Sequence, residues 1–283
     1  MVFKDILVPV DFTVNTGIAL KKAIELLDVN DAVINLLHVV NPPGKWRAFR
    51  SIFDRTIVRS EIERLTSGQE KLERLRNTIL TAAPGKVQVE CSVMSGAVED
   101  CIIKKAKLIK PGLVVVGKNH DERVFPVFNL VSPNRIAQLS NSPVLVAKSG
   151  SLGQKIRTIV VPVSAPVSQK KIEILVALLN KFHAKVHLVT LKGSGRKATR
   201  ESNQTLLNTY RVLKNMKSII SLEHKVVEGR NLANASLKYA QFILADMMLV
   251  CAETETKVSV FTRQHITDLL ITNSRLQVLE VES

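Results

Sequence analysis

Apolar positions along the chain fall into short unbroken runs, and longer segments of helical period separate them. Asp5 to Val10 (DILVPV), Ala32 to Val40 (AVINLLHVV), Lys86 to Val93, Leu113 to Gly117 (LVVVG) and Val144 to Ala147 read as five strands. Runs of Val, Leu and Ile bounded by Gly or Pro suit strands buried on both faces of a parallel sheet. Between them, Ile18, Leu20, Ala23, Ile24 and Leu27 predict a helix from Thr13 or Asn15 to Leu27. Val58, Ile62, Leu65, Leu72, Leu75 and Ile79 form one stripe within 46–82. Val98 to Ile109 predicts a further helix, with Glu99 and Asp100 in the first turn, where the helix dipole favours acids. Ser132 and Pro133 predict the cap and first position of a short helix, which Asn141-Ser142-Pro143 ends.

After Ser149-Gly150-Ser151-Leu152-Gly153 the pattern begins again. TIVVPV at Thr158 to Val163 repeats ILVPV, and Glu228-Gly229 aligns with Ser95-Gly96. Helices are expected at Ser168 to Phe182, about Thr199 to Met216, and Leu232 to Leu244. Strands are expected at Lys185 to Leu191, Ile219 to Val227, Met247 to Cys251 and Leu276 to Val281. Each copy alternates strand and helix, and right-handed crossovers lay such a unit down as a five-stranded parallel sheet between two helix layers. The expected class is α/β, with two tandem doubly wound domains, 1–149 and 150–283, the second more diverged. Ligands of such sheets bind outside the strand carboxyl ends, and the helix start at Ser132 offers free N–H groups to a phosphate.

Composition adds a basic surface to this picture. The net charge is +15; residues 1–150 hold 21 Lys and Arg against 15 Asp and Glu, and residues 151–283 hold 19 against 10. The excess is spread along the chain, so it is not a basic tail. It could attract nucleic acid, anionic lipid or acidic proteins. Aromatic residues are only 4%, too few for the stacking that single-stranded nucleic acid requires, so a solvated basic surface is expected. The segment KWRAFRSIFDR, with Trp46, Phe49 and Phe53 on one face, reads either as a partner-binding helix or as a flap packed on the neighbouring domain. No apolar run reaches bilayer length, and MVFKDILVPVDF lacks a signal-peptide core. Cys91, Cys101 and Cys251 are expected to be reduced core residues of a cytoplasmic protein.

Candidate chemistry is sparse. None of the six histidines has metal-ligand spacing with cysteine, and His183 and His187 straddle a helix end and a strand. Gly193-Ser194-Gly195-Arg196-Lys197 imitates a phosphate loop, but it follows the second strand of its copy and lacks a Gly-Lys-Ser/Thr ending. Asp11 is expected to cap the helix that follows it, and no nucleophile–base pair accompanies it. Neither an enzyme nor a metal site is expected.

The frame Val114-Val115-Val116-Gly117, the closing Ser142-Pro143-Val144-Leu145-Val146 and Asp11 after the first strand resemble the universal stress protein family, here as a tandem pair. The resemblance implies Rossmann-like domains of strand order 3-2-1-4-5, joined through their last strands into an intramolecular pseudo-dimer, with a homodimer as a further assembly. It also implies that the first Asp meets adenine or ribose, that main chain ending the second strand touches the base, and that a Gly-rich loop cradles phosphates. By position, Asp11, Val40, Gly96 and Gly117 carry over, and Lys118, Arg123 and Ser132 could hold an anion. His120 and Asn129-Leu130-Val131 depart from the loop's glycines and hydroxyl, which matter because Gly permits positive φ and close approach. In the second copy Ser164 replaces the Asp, and Cys251-Ala252-Glu253-Thr254 replaces the opening glycines. The expectation is a non-enzymatic stress-response protein that acts by binding a ligand or an unidentified protein partner, without ATP as cofactor. The alternatives are an ATP or AMP sensor using the first domain, and a basic nucleic-acid or membrane-surface binder.

Overall fold

The computed structural model describes residues 3–27, 32–41, 55–82, 87–118, 131–193, 195–216, 221–258, 264–271 and 273–282. The basic aromatic segment 45–54 and the loop holding His120, Arg123, Asn129 and Leu130 lie outside them. Five strands come first: β1 (Asp5–Val10), β2 (Ala32–Val40), β3 (Val87–Ser95), β4 (Leu113–Gly117) and β5 (Val144–Ala147). The helices among them are α1 (Val14–Leu26), α2 (Arg55–Ala82), α3 (Val98–Ile109) and α4 (Pro133–Ser140). The second set of strands is β6 (Thr158–Pro162), β7 (Lys185–Leu191), β8 (Leu222–Val227), β9 (Met247–Cys251) and β10 (Gln277–Val281). With them run α5 (Gln169–Phe182), α6 (Arg196–Lys214), α7 (Leu232–Phe242) and α8 (Ile266–Leu269).

Among the described residues these strands form one sheet of ten, ordered β3-β2-β1-β4-β5-β10-β9-β6-β7-β8. Each half has the order 3-2-1-4-5, and its strands pair in parallel. The halves meet where β5 and β10 pair antiparallel, Leu145 opposite Leu279 and Val144 opposite Glu280. The edge-to-edge contact expected of the last strands is therefore present. The two five-stranded units thereby run on as one continuous sheet.

The two faces are covered differently. On one, α1, α2, α5 and α6 pack Leu20, Leu72, Leu175 and Leu206 into a single apolar cluster that runs through both halves. On the other, α3 and α4 cover the first half, and α7 and α8 cover the second, as two clusters. Helix ends follow local chemistry. Ser132 caps α4 with Pro133 at its first position, and Asn141 closes it in the left-handed region at φ 55. Lys110 and His183 close α3 and α5 in the same way. Cys101 and Cys251 are buried thiols outside any disulfide, whereas Cys91 is only partly buried, a correction to the expected core position. Among the described residues no helix is long and apolar enough to cross a membrane.

Candidate functional site

The first-half crevice lies beyond the carboxyl ends of β1 and β4. Asp11 does not cap α1 as the sequence predicts; Thr13 does, accepting the Asn15 N–H at 3.2 Å. Asp11 braces that cap. Its Oδ1 accepts the Thr13 N–H at 2.9 Å, the Thr13 hydroxyl at 2.7 Å and the Thr16 hydroxyl at 2.8 Å. Thr16 Oγ1 in turn accepts the N–H groups of Asp11 and Phe12. These bonds hold Phe12 at φ 60, a conformation unfavourable for an aromatic residue unless its surroundings impose it. The Phe12 ring lies 4.7 Å from the His38 ring, and Lys71 Nζ stands 5.7 Å above its centroid. Among the described residues Asp11 Oδ2 has no hydrogen-bond partner.

Val40 is buried at the end of β2, and its carbonyl accepts the Gly96 N–H at 3.1 Å. Gly96 sits at φ 152, where a Cβ would stand 2.8 Å from Cys101 Sγ. Gly117 has a packing reason of its own. A Cβ there would lie 2.0 Å from the Asn15 carbonyl oxygen, so β4 can approach the start of α1 only without a side chain.

The place offered to a phosphate is already taken. Glu99, in the first turn of α3, reaches the N-terminus of α4, and its Oε2 accepts the Ser132 N–H at 2.7 Å. Its other oxygen accepts from Arg135 Nη1, and Asp100 lies 3.4 Å from Arg135 Nη2. The hydrogen bond to Glu99 holds the Arg135 guanidinium even further above its ordinary pKa. Ser132 Oγ is engaged too, capping the Arg135 N–H at 3.3 Å. Of the residues suggested for an anion, the Ser132 N–H and the Lys118 ammonium are each engaged by a carboxylate. Lys118 is almost fully enclosed and donates to Asp268 Oδ1 of the second half at 2.7 Å. Val131 packs into the apolar cluster of α3 and α4.

The second-half crevice, beyond β6 and β9, is plugged by an ion pair that sequence reading missed. Lys171 of α5 and Glu255, in the turn after β9, meet at 2.6 Å with side chains 1% and 2% exposed. Glu255 Oε2 also accepts the Cys251 N–H at 2.7 Å, and Oε1 accepts the Ser164 hydroxyl at 3.1 Å. Lys171 Nζ donates a further bond to the Pro162 carbonyl at 2.8 Å. Such a pair endures burial only when its remaining donors and acceptors are satisfied, as these are. The sequence flagged the departure at Cys251-Ala252-Glu253-Thr254, which stops one residue short of the carboxylate that fills the site.

Elsewhere, Gly195 starts α6 without a side-chain cap, and Thr199 Oγ1 donates to the Gly193 carbonyl at 3.1 Å. An open cup beside this turn is lined by Lys192, Arg196, Arg200 and Asn203; it adjoins β7 and lies off the β6–β9 crevice. His183 is exposed at the end of α5, while His187 is buried against Tyr239 with Nδ1 3.0 Å from its hydroxyl, so the two diverge. Among the described residues no group of three or more His, Cys, Asp or Glu could hold a metal ion.

Comparison with known proteins agrees with this architecture. A universal stress protein from Archaeoglobus fulgidus DSM 4304 superposes with a TM-score of 0.65 at 16% identity, over 99% of this chain and 96% of that one. A protein of unknown function from Pseudomonas aeruginosa PAO1 superposes with a TM-score of 0.58 at 15% identity, over 99% and 92%. At these identities the likeness concerns the fold. No curated protein matches the chain. The model of the Universal stress protein family matches residues 3–148, more than half of the sequence, and the chain belongs to that family.

Proposed function

We propose that this chain is a non-enzymatic stress-response protein that acts by binding a protein partner, with neither crevice serving as an ATP site. The observation that carries this reading is Glu99. Its carboxylate sits on the Ser132 N–H at the start of α4, where a nucleotide phosphate would need to be, and Arg135 neutralises it. A phosphate would have to displace a bonded carboxylate or meet its like charge. Glu255 and Lys171 fill the second crevice in the same sense. The two halves then act as an intramolecular pseudo-dimer, with β5 and β10 as its joint. The non-enzymatic part of this reading is supported by Asp11, whose Oδ1 is spent on the Thr13 and Thr16 hydroxyls that build the start of α1.

The reading is tested by mass spectrometry of the purified protein for co-purified nucleotide, together with thermal shift in ATP and AMP. Neither nucleotide should be found, and neither should raise the melting temperature. Glu99→Ala should make the first half respond to ATP if the carboxylate is what excludes it. A second reading, an adenine-nucleotide sensor, is favoured by the unpartnered Asp11 Oδ2, which could accept from a ribose hydroxyl. Stoichiometric ATP bound to the unmodified protein would establish that reading in place of the first.

A further inference from the structure

The β5–β10 seam buries two ionisable groups, one from each half. Strand side chains alternate faces, so Val144, Val146 and Lys148 share a face with Val278 and Glu280 across the seam, and with Lys118 beyond β4. Lys148 and Glu280 are both 0% exposed. Among the described residues, Lys148 Nζ and both carboxylate oxygens of Glu280 have no hydrogen-bond partner. An enclosed charge without a partner is costly, so each group is driven toward its neutral form.

We propose that the seam between the halves is proton-linked: it is closed while Glu280 carries its proton, and loss of that proton loosens the β5–β10 pairing. The argument rests on where the groups lie. Glu280 is opposite Val144 on one side and Val250 on the other, with no cation beside it on either strand. The charged groups that act on it are Lys118, just past the end of β4, and Asp268 of α8. Lys118 is already held by Asp268 at 2.7 Å. Burial alone would raise Asp268, but bonds from Lys118 and the His265 N–H outweigh it and keep its carboxyl below the ordinary value. His265, at the cap of α8, is pushed below its ordinary value by burial. An ionised Glu280 would thus enter a seam whose cation Lys118 is already paired, beside a carboxylate that stays charged.

Burial raises Glu280 from 4.5 to about 8, with Lys118 opposing and Asp268 adding to the shift. Burial lowers Lys148 from 10.5 to about 8, with Lys118 adding and Asp268 opposing. Between pH 4.5 and 8 the folded chain therefore holds a Glu280 proton that the unfolded chain has lost, and stability falls as pH rises. Between pH 8 and 10.5 the unfolded chain holds a Lys148 proton that the folded chain has lost, and stability rises.

The test is the denaturant midpoint of the full chain from pH 5 to 10, with Glu280→Gln and Lys148→Met. In the unmodified protein the contribution of this pair should reach its minimum near pH 8. Subtracting the Glu280→Gln profile should leave a falling arm below pH 8 of about one proton. Subtracting the Lys148→Met profile should leave a rising arm above it. Hydrogen exchange locates the effect: protection at Val144–Ala147, taken relative to β7 in the same sample, should drop between pH 6 and 8 and stay level in Glu280→Gln. A Glu280→Gln profile parallel to the unmodified one, or seam protection that tracks β7 throughout, overturns the proposal. If Lys148→Met fails to fold, the Glu280→Gln comparison and the exchange ratio decide it alone.

Discussion

Gly117 shows how one position can serve a frame without serving a ligand. The Asn15 carbonyl stands where its Cβ would be, at 2.0 Å, and backbone on both sides leaves little room to yield. Gly117→Ala should therefore overpack the start of α1 and cost about 1–3 kcal/mol, read as a lower urea midpoint. A midpoint within error of the unmodified protein would mean that β4 can retreat at no cost. The ion pair of Lys171 and Glu255 makes a second, ordered prediction. Removing Glu255 strands an enclosed ammonium and frees the N–H groups of Ser164 and Cys251. Removing Lys171 leaves the carboxylate with three donors still on it. Glu255→Ala should cost about 3–5 kcal/mol and Lys171→Met clearly less, by the same measurement. The opposite order would show that the lysine, and not the carboxylate, organises the plug.

Helix α4 is eight residues long, too short to persist by propensity, so its ends matter. Ser132 makes two bonds at the first end: its hydroxyl accepts the Arg135 N–H, and its own N–H donates to Glu99. Ser132→Ala should cost about 1 kcal/mol, and a double-mutant cycle with Glu99→Ala should show coupling, since both bonds close one helix end. Strict additivity in urea titrations would deny that link. The cap itself was readable from Ser-Pro, as were β2 and α3, whose long unbroken periods gave both ends to the residue. Helix α8 was implied by the alternation of strand and helix but could not be located, because four residues are too few to display a period. The site was half readable for a related reason. Asp11 and Gly96 answer to residues no more than five positions away, whereas Gly117 answers to Asn15 across the sheet. Glu99 lies 33 positions from Ser132, and Glu255 lies 84 from Lys171. Nothing local marks either carboxylate as the occupant of a crevice; only the crossover connections bring each pair together.

The way the halves join sets how the molecule comes apart. Leu145 and Leu279 face each other across the seam, and both belong to the apolar cluster that continues from Phe3 and Leu72 into Leu178 and Leu213. Further bonds join the halves: Lys181 Nζ donates to the Leu27 carbonyl at 2.5 Å, Lys118 to Asp268, and Asn134 to the Thr256 hydroxyl at 3.0 Å. Ala252, from the second half, is part of the cluster built on α3 and α4 of the first. A core shared in this way ties the stability of each half to the presence of the other, so calorimetry should show one cooperative transition for the whole chain. Leu279→Ala is the discriminating variant. It opens a cavity in the shared cluster and should cost about 2–5 kcal/mol, moving the whole transition to lower temperature. Were the halves independent bodies that merely touch, the same substitution would shift part of the heat absorption and leave the remainder at its original temperature. Two resolved peaks in Leu279→Ala, one of them unmoved, would show that the strand pairing adds contact without coupling. A single shifted peak would show that the ten strands fold as one sheet.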